Sequence, residues 1–206
     1  MIKKIIIILS IFYFSSIHAQ YDEWTPAKVI LKNGISFRGL VKFPKHSGGI
    51  ISIGSTEFKY KKKKKSKTQK YGHETVEEVI FGDEEFTTLH YKYIPIKPKK
   101  YVLLEQIING KTSLFSRTVM KFQRTIVGYP NNQSNGYYYD DTQYYLIRKG
   151  EGSAKLIAGP NSFGTFISKA KKYFSDCEKI LYYLENELYD LNNLIELVED
   201  YNLLCE

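Results

Sequence analysis

Val29-Ile30-Leu31-Lys32-Asn33-Gly34-Ile35-Ser36-Phe37-Arg38-Gly39-Leu40-Val41 decides the fold class of this chain. Val29 and Leu31 alternate with Lys28, Ile30 and Lys32. After Asn33-Gly34, residues Ile35, Phe37, Gly39, Val41 and Phe43 share one face against Ser36, Arg38, Leu40 and Lys42. Strand side chains alternate between faces, so each arm reads as a strand that offers one face to a core. Asn-Gly between two such arms predicts an antiparallel hairpin with a type I′ turn, which needs two residues tolerant of positive φ. Gly39 within the second arm predicts a bend or the close approach of another backbone.

The same pattern recurs at Asn109-Gly110. Residues 101–108 precede it, and Leu114, Ser116, Thr118, Met120 and Phe122 alternate with Phe115, Arg117, Val119 and Lys121 after it. Shorter strands are expected over 50–53, 56–60, 75–81, 86–94, 138–148 and 154–158. Pro95 and Pro98 interrupt the apolar pattern and mark a connection or an edge. After Pro160 the period changes from two to that of a helix. Phe163, Phe166, Ile167, Ala170 and Phe174 form one stripe, Cys177, Ile180, Leu181, Leu184 and Leu188 a second, and Leu191, Leu194, Ile195, Val198 and Tyr201 a third. Each is the apolar face of an amphipathic helix. Ser175 and Glu178 are spaced as a capping box, and Asp190 precedes the third stripe as a cap. The expected fold is therefore α+β, an antiparallel β meander of eight to ten strands, curled into a sandwich or partial barrel, followed by a three-helix tail.

The first residues have a different character. Lys3 and Lys4 form a basic n-region and residues 5–14 an apolar run broken by Ser10. A polar stretch ending in Ala19-Gln20 follows. That is the pattern of a secretory signal peptide, and the run is shorter than the roughly 20 residues of a spanning helix. The domain plan is a signal peptide over 1–19, a β body over 20–159 and a helical tail over 160–206 packed on the body. The mature chain is expected to be exported, periplasmic or secreted, with no transmembrane span and no nucleic-acid partner.

Charge is segregated along the chain. The whole sequence carries +8, with 30 Lys and Arg against 22 Asp and Glu. Residues 176–206 hold nine acids and one base, whereas eight lysines crowd into 59–70. Such a run repels itself and is expected to be an exposed, mobile loop. Lys61, Lys62, Lys63, Lys64, Lys65, Lys67 and Lys70 are its candidate anion-contact residues, for an anionic envelope component or an acidic protein, because basic patches speed encounter with anions. Tyr137, Tyr138, Tyr139, Tyr144 and Tyr145 form a second candidate surface, since tyrosine favours strands and interfaces.

No chemical motif in the sequence is complete. Gly110-Lys111-Thr112 copies the end of a phosphate-binding loop, but Glu105 stands where that loop needs Gly, and the segment sits in a hairpin turn. His73-Glu74 lacks the second zinc-binding His, and His46, His73 and His90 have no ligand spacing. Gly159-Pro160-Asn161-Ser162-Phe163-Gly164 has the wrong spacing for a nucleophile elbow. Adjacent strand residues Asp140 and Asp141 diverge. No cofactor, metal or catalytic residue is assigned.

The segment Val29–Val41 resembles the first motif of the Sm-like RNA-binding family, in which an apolar pair and two glycines five residues apart build the bent hairpin of a small barrel. The likeness covers thirteen residues, and the family's second, nucleotide-contacting motif has no counterpart. The wider layout resembles uncharacterised exported proteins of Bacteroidota-type Gram-negative bacteria. It combines an export signal ending in Ala-Gln, the hairpin, a basic loop and a Tyr-rich β region. A tail containing Phe174-Ser175-Asp176-Cys177 and Tyr201-Asn202-x-x-Cys205 completes it. That resemblance implies a location and an α+β layout, and no activity.

Two cysteines in an oxidising compartment pair by default, so a Cys177–Cys205 disulfide is expected. At about 1.5 Å per residue, the arms from Cys177 to Tyr189 and from Asp190 to Cys205 span roughly 18 and 22 Å, which an antiparallel helical pair can accommodate. The alternative is a small core residue and a terminal free thiol. The function expected is a non-enzymatic interaction or structural module of the envelope, with an envelope-acting hydrolase as the alternative.

Overall fold

The computed structural model describes residues 24–43, 57–82, 88–124, 136–160 and 162–205. The signal peptide expected over 1–19, the strand expected over 50–53 and His46 lie outside the described residues. Ten strands form one antiparallel sheet: β1 (Thr25–Leu31), β2 (Ser36–Lys42), β3 (Phe58–Lys61), β4 (Gln69–Tyr71), β5 (Val76–Phe81), β6 (Leu89–Lys97), β7 (Lys100–Ile108), β8 (Thr112–Arg124), β9 (Gly136–Arg148) and β10 (Lys155–Ala158). Three helices follow, α1 (Phe166–Tyr173), α2 (Glu178–Glu185) and α3 (Leu194–Leu204). The α+β class, the sheet and the helical tail agree with the sequence.

The strand order is β10-β9-β8-β7-β6-β5-β1-β2-β3-β4, and the sheet is not closed. It departs from a simple meander once: β5 returns to the free side of β1, so β1 lies between β2 and β5. The sheet curls at both ends. The Tyr93 hydroxyl on β6 donates to the Tyr71 carbonyl on β4 (3.3 Å), and the Ala154 N–H donates to the Pro95 carbonyl on β6 (2.7 Å).

One face of β1–β7 holds an aromatic core of Val29, Val41, Phe58, Tyr60, Val79, Phe81, Tyr93 and Leu103. The alternate residues of β7, Val102 and Leu104, turn to the opposite face and join Phe115, Tyr145 and Ala154 in a second core inside the C-terminal curl. The helices cover the outside of that curl. Phe174, Ile180, Leu184, Leu197, Val198 and Tyr201 pack on Leu114, Leu146 and Ile157. The strands of the C-terminal half are thus buried on both faces and those of the N-terminal half on one.

Local details correct the sequence reading. In the first hairpin only Gly34 has positive φ (+83°), and its N–H bonds to the Leu31 carbonyl at 2.9 Å. This is a three-residue turn closed by a left-handed Gly, rather than a type I′ turn. At the second, Gly110 does not have positive φ. A Cβ there would lie 2.6 Å from the Asn202 side chain of α3, so this Gly leaves room for a docked helix. Pro95 lies inside β6, where the ladder to β7 slips between Pro95 and Lys97, so the Pro marks a bulge. Phe163 is 92% exposed and precedes α1, which is capped by Thr165 accepting from the Ser168 N–H. Cys177, which makes no side-chain capping hydrogen bond, is the N-cap of α2, so Ser175 and Glu178 form no capping box. Asn193, not Asp190, precedes α3, and Asp190 accepts from the Asn192 and Asn193 N–H groups.

The cysteines pair. Cys177 and Cys205 form a disulfide with Cα atoms 5.7 Å apart, joining the start of α2 to the end of α3. Asn202 adds a second clasp: its amide donates to the Thr112 carbonyl (2.8 Å) and accepts from the Thr112 N–H (2.7 Å), as a neighbouring strand would.

Candidate functional site

The lysine run builds the edge of the sheet. Alternation in Phe58-Lys59-Tyr60-Lys61 sends Phe58 and Tyr60 into the aromatic core and leaves Lys59 on the other face. The same alternation applies to β2 and β4. The register pairs Lys42 with Lys59 and Lys59 with Lys70, so three lysines stand side by side across β2, β3 and β4. Like charges directly opposite one another destabilise a sheet. None of the three has a carboxylate partner among the described residues.

Between β3 and β4 the chain makes a defined turn. The Ser66 N–H donates to the Lys63 carbonyl (2.9 Å), and the Ser66 hydroxyl accepts from the Lys63 N–H (3.2 Å). The expected loop 59–70 is therefore narrower than its boundaries: Lys59, Lys61 and Lys70 belong to strands. Lys62, Lys63, Lys64, Lys65, Lys67 and Lys70 are exposed, as expected. Lys61 is half-buried, its ammonium 4.3 Å from the centre of the Trp24 ring, a cation–π contact.

A groove lies on each side of this hairpin. One, of about 420 Å³, has an apolar floor of Pro26, Ala27, Gly39 and Leu40 and a wall of Lys62, Lys63 and Lys64. The second, of about 410 Å³, sits against the rim of the aromatic core and is lined by Phe37, Tyr60, Tyr71, Gln69, Ser66, Lys62 and Lys67. Phe37 meets Tyr60 edge-on at 4.8 Å, and the Tyr60 hydroxyl donates to the Arg38 carbonyl. Burial, with the neighbouring Tyr71 second, pushes the Tyr60 phenol above its ordinary value, so it stays a neutral donor. Gly39 makes the close approach the sequence predicted, since a Cβ there would lie 2.6 Å from the Lys61 carbonyl.

The tyrosine surface is divided rather than assembled. Tyr145 is buried in the second core, its hydroxyl donating to Gln143, which also accepts from Arg117 (2.7 Å). Tyr144 packs against the helical core. Tyr137 and Tyr139 remain neighbours near the tip of the β8–β9 hairpin, rings 6.0 Å apart, with Lys121 over Tyr139 and paired to Asp141 at 3.2 Å. The hydrogen bond to Asp141 holds the Lys121 ammonium above its ordinary value. The side chain of Tyr138 is outside the described residues.

Two features escaped the sequence. Lys42 was assigned to a strand, but the row it completes depends on register, which no local pattern reveals. The second is a hydrogen-bonded chain joining β5 to β6 and the residue just before it. Thr88 Oγ1 lies 2.9 Å from His90 Nε2, and His90 Nδ1 lies 2.9 Å from Glu78 Oε1, with Lys92 at 3.6 Å from the same oxygen. Spacing of Thr88 and His90 two apart on a strand was the available signal; Glu78 came from the neighbouring strand. Among the described residues no three His, Cys, Asp or Glu side chains group as metal ligands, and no helix is long and apolar enough to cross a membrane. No protein-family model matches this chain, and neither does any curated protein or solved structure.

Proposed function

We propose that this protein is an exported, non-enzymatic interaction module of the cell envelope whose contact surface is the basic end of the sheet. The observation that carries the reading is the row Lys42, Lys59 and Lys70, held in register without carboxylate partners among the described residues. Lysines on an edge strand guard a sheet against aggregation, but lysines set directly opposite one another across strands also destabilise it. A polyanionic partner relieves the repulsion when it binds. The disulfide favours an oxidising compartment, in keeping with export.

The test is co-sedimentation with vesicles containing phosphatidylglycerol, against phosphatidylcholine vesicles as the neutral control. Binding is expected to be confined to the anionic vesicles and weakened by salt, because exposed charges are screened beyond about 10 Å at 0.1 M. Replacing Lys59, Lys63 and Lys70 with Ser should abolish it. Equal binding to both vesicle types, or none, sinks the reading. Export is checked separately: the envelope form should begin at or within two residues of Gln20.

One observation favours the second reading, a hydrolase acting on envelope material. Thr88, His90 and Glu78 stand in the order hydroxyl, imidazole, carboxylate that activates a nucleophile. Labelling by a fluorophosphonate, lost in both Thr88→Ala and His90→Ala, would support it. An unlabelled protein would remove it.

A further inference from the structure

Residues 57–72 carry +7, and residues 176–205 carry −7. The fold keeps these charges apart. Helices α1 and α3 pack on β10 and on β7 and β8, while the lysines edge the sheet at β3 and β4. From β8 to β3 the sheet takes six strand steps along its curled surface. The lysine row also faces away from the helical side. Val41 and Tyr60, which alternate with Lys42 and Lys59, share a face with Leu103 and, through the ladders, with the helix-covered Leu114. Among the described residues, no ion pair joins the acids of 176–205 to the lysine row.

The acidic end also exposes apolar side chains that none of the described residues covers. Leu188 is 58% exposed and Leu191 43%, on the connection between α2 and α3, among Glu185, Glu187 and Asp190. None of these three acids has a Lys or Arg partner among the described residues. Glu187 holds this connection in a left-handed conformation (φ +56°), and the Leu188 N–H bonds back to the Tyr183 carbonyl at 3.0 Å. That is the helix-ending turn usually made by glycine. A side chain kept where glycine would be less strained marks a position worth testing for function. The result is a fixed knob with two leucines ringed by carboxylates.

The basic groove is its complement, with Pro26 and Leu40 on the floor and Lys62, Lys63 and Lys64 on the wall. Its volume of about 420 Å³ has room for the two leucine side chains. We propose that the α2–α3 connection of one copy docks into the basic groove of a second, giving head-to-tail self-association. The two surfaces differ, so the contact is heterologous: a docked pair keeps one free groove on the first copy and one free knob on the second, and chains or rings form rather than a closed pair. The inference goes beyond the polyanion-binding reading but rests on the same lysine end being accessible.

Sedimentation velocity of the purified protein tests it. Association that rises with concentration and disappears at high salt is expected. Two charge-reversed variants, Glu187→Lys with Asp190→Lys and Lys63→Glu with Lys64→Glu, should each associate at least about tenfold more weakly, because like charges then face each other. Mixing the two should restore association, since each remaining knob meets a groove of opposite charge. Glu187→Gly should weaken association while leaving the fold more stable, which separates a docking role from a structural one. A protein that stays monomeric at every salt concentration, or a mixture that stays monomeric, overturns the inference. Monomeric protein that still binds anionic vesicles leaves the polyanion reading standing, and self-association without vesicle binding does the reverse.

Discussion

At the β7–β10 end, strands are covered on both faces, a disulfide and an Asn202 clasp tie the helices down, and Arg148 is held by Asp176 (2.7 Å) and the Tyr173 carbonyl. At the β2–β4 end one face packs aromatic rings while the other sets lysine against lysine. Both ends belong to one continuous sheet. The difference teaches that buried apolar area and cross-links hold one end, and that the other keeps local electrostatic conflict which packing elsewhere offsets. Residual conflict of this kind is where binding is expected, because a partner gains what the fold has left unsatisfied.

The largest effect that would sharpen the contrast comes from Phe174, fully buried between Tyr173 and Tyr201. Phe174→Ala should cost about 3–5 kcal/mol in urea unfolding. A loss under 1 kcal/mol would mean that the helical end does not anchor the fold. Next comes the disulfide. Replacing Cys177 and Cys205 with Ala should cost about 3.5 kcal/mol on the chain-entropy account and lower the melting midpoint by roughly 10 °C. Hydrogen exchange should then rise in α1–α3 and stay low in β1, β2 and β5; uniform loosening would break the division.

Alkaline pH gives a gentler probe. Burial first, then the Asp200 carboxylate, pushes the Tyr189 phenol up to about 12, and burial likewise raises Tyr173 and Tyr201. A folded-state value above the unfolded one means the folded protein holds its proton longer. The stability from Tyr189 is therefore fully present below pH 10 and is lost as pH rises towards 12. The helical circular-dichroism signal should hold to pH 10 and decline beyond it. A signal unchanged at pH 12 would contradict this.

The smallest effect has the opposite sign. Lys59→Glu places a carboxylate between Lys42 and Lys70 and should stabilise the protein by about 0.5 kcal/mol while removing affinity for anionic vesicles. Destabilisation would show that the row is structural.

Much of the fold was legible in the sequence, and the reasons are local. Period-two alternation around Asn33-Gly34 and Asn109-Gly110 gave real hairpins, and the change of period after Pro160 gave real helices. The turn types were misjudged because they depend on what surrounds them. Gly110 answers to Asn202, ninety-two residues away, rather than to its own φ. Phe163 and Leu188 fit the helical spacing yet lie beyond helix ends set by Thr165 and Glu187. The candidate site was half legible. A lysine run is visible in any sequence, but its conversion into a cross-strand row requires the register of three strands. The tyrosines failed as a surface because adjacent residues on β9 point to opposite faces.

The position of β1 between β2 and β5 sets an order of events during folding. The β8–β9 hairpin closes over about a dozen residues, from Arg124 to Gly136, whereas Val29 meets Val79 only after fifty have been brought round. Closing the longer span costs about 1.3 kcal/mol more chain entropy. The ladder between β1 and β5 is therefore expected to join last, stitching two preformed hairpin arrays into one sheet. Pulse-labelling hydrogen exchange should show amides of β8 and β9 protected before those of β1 and β5. Until that seam closes, both arrays present an apolar strand with an open edge, so a slow seam makes the newly made chain most vulnerable to aggregation there.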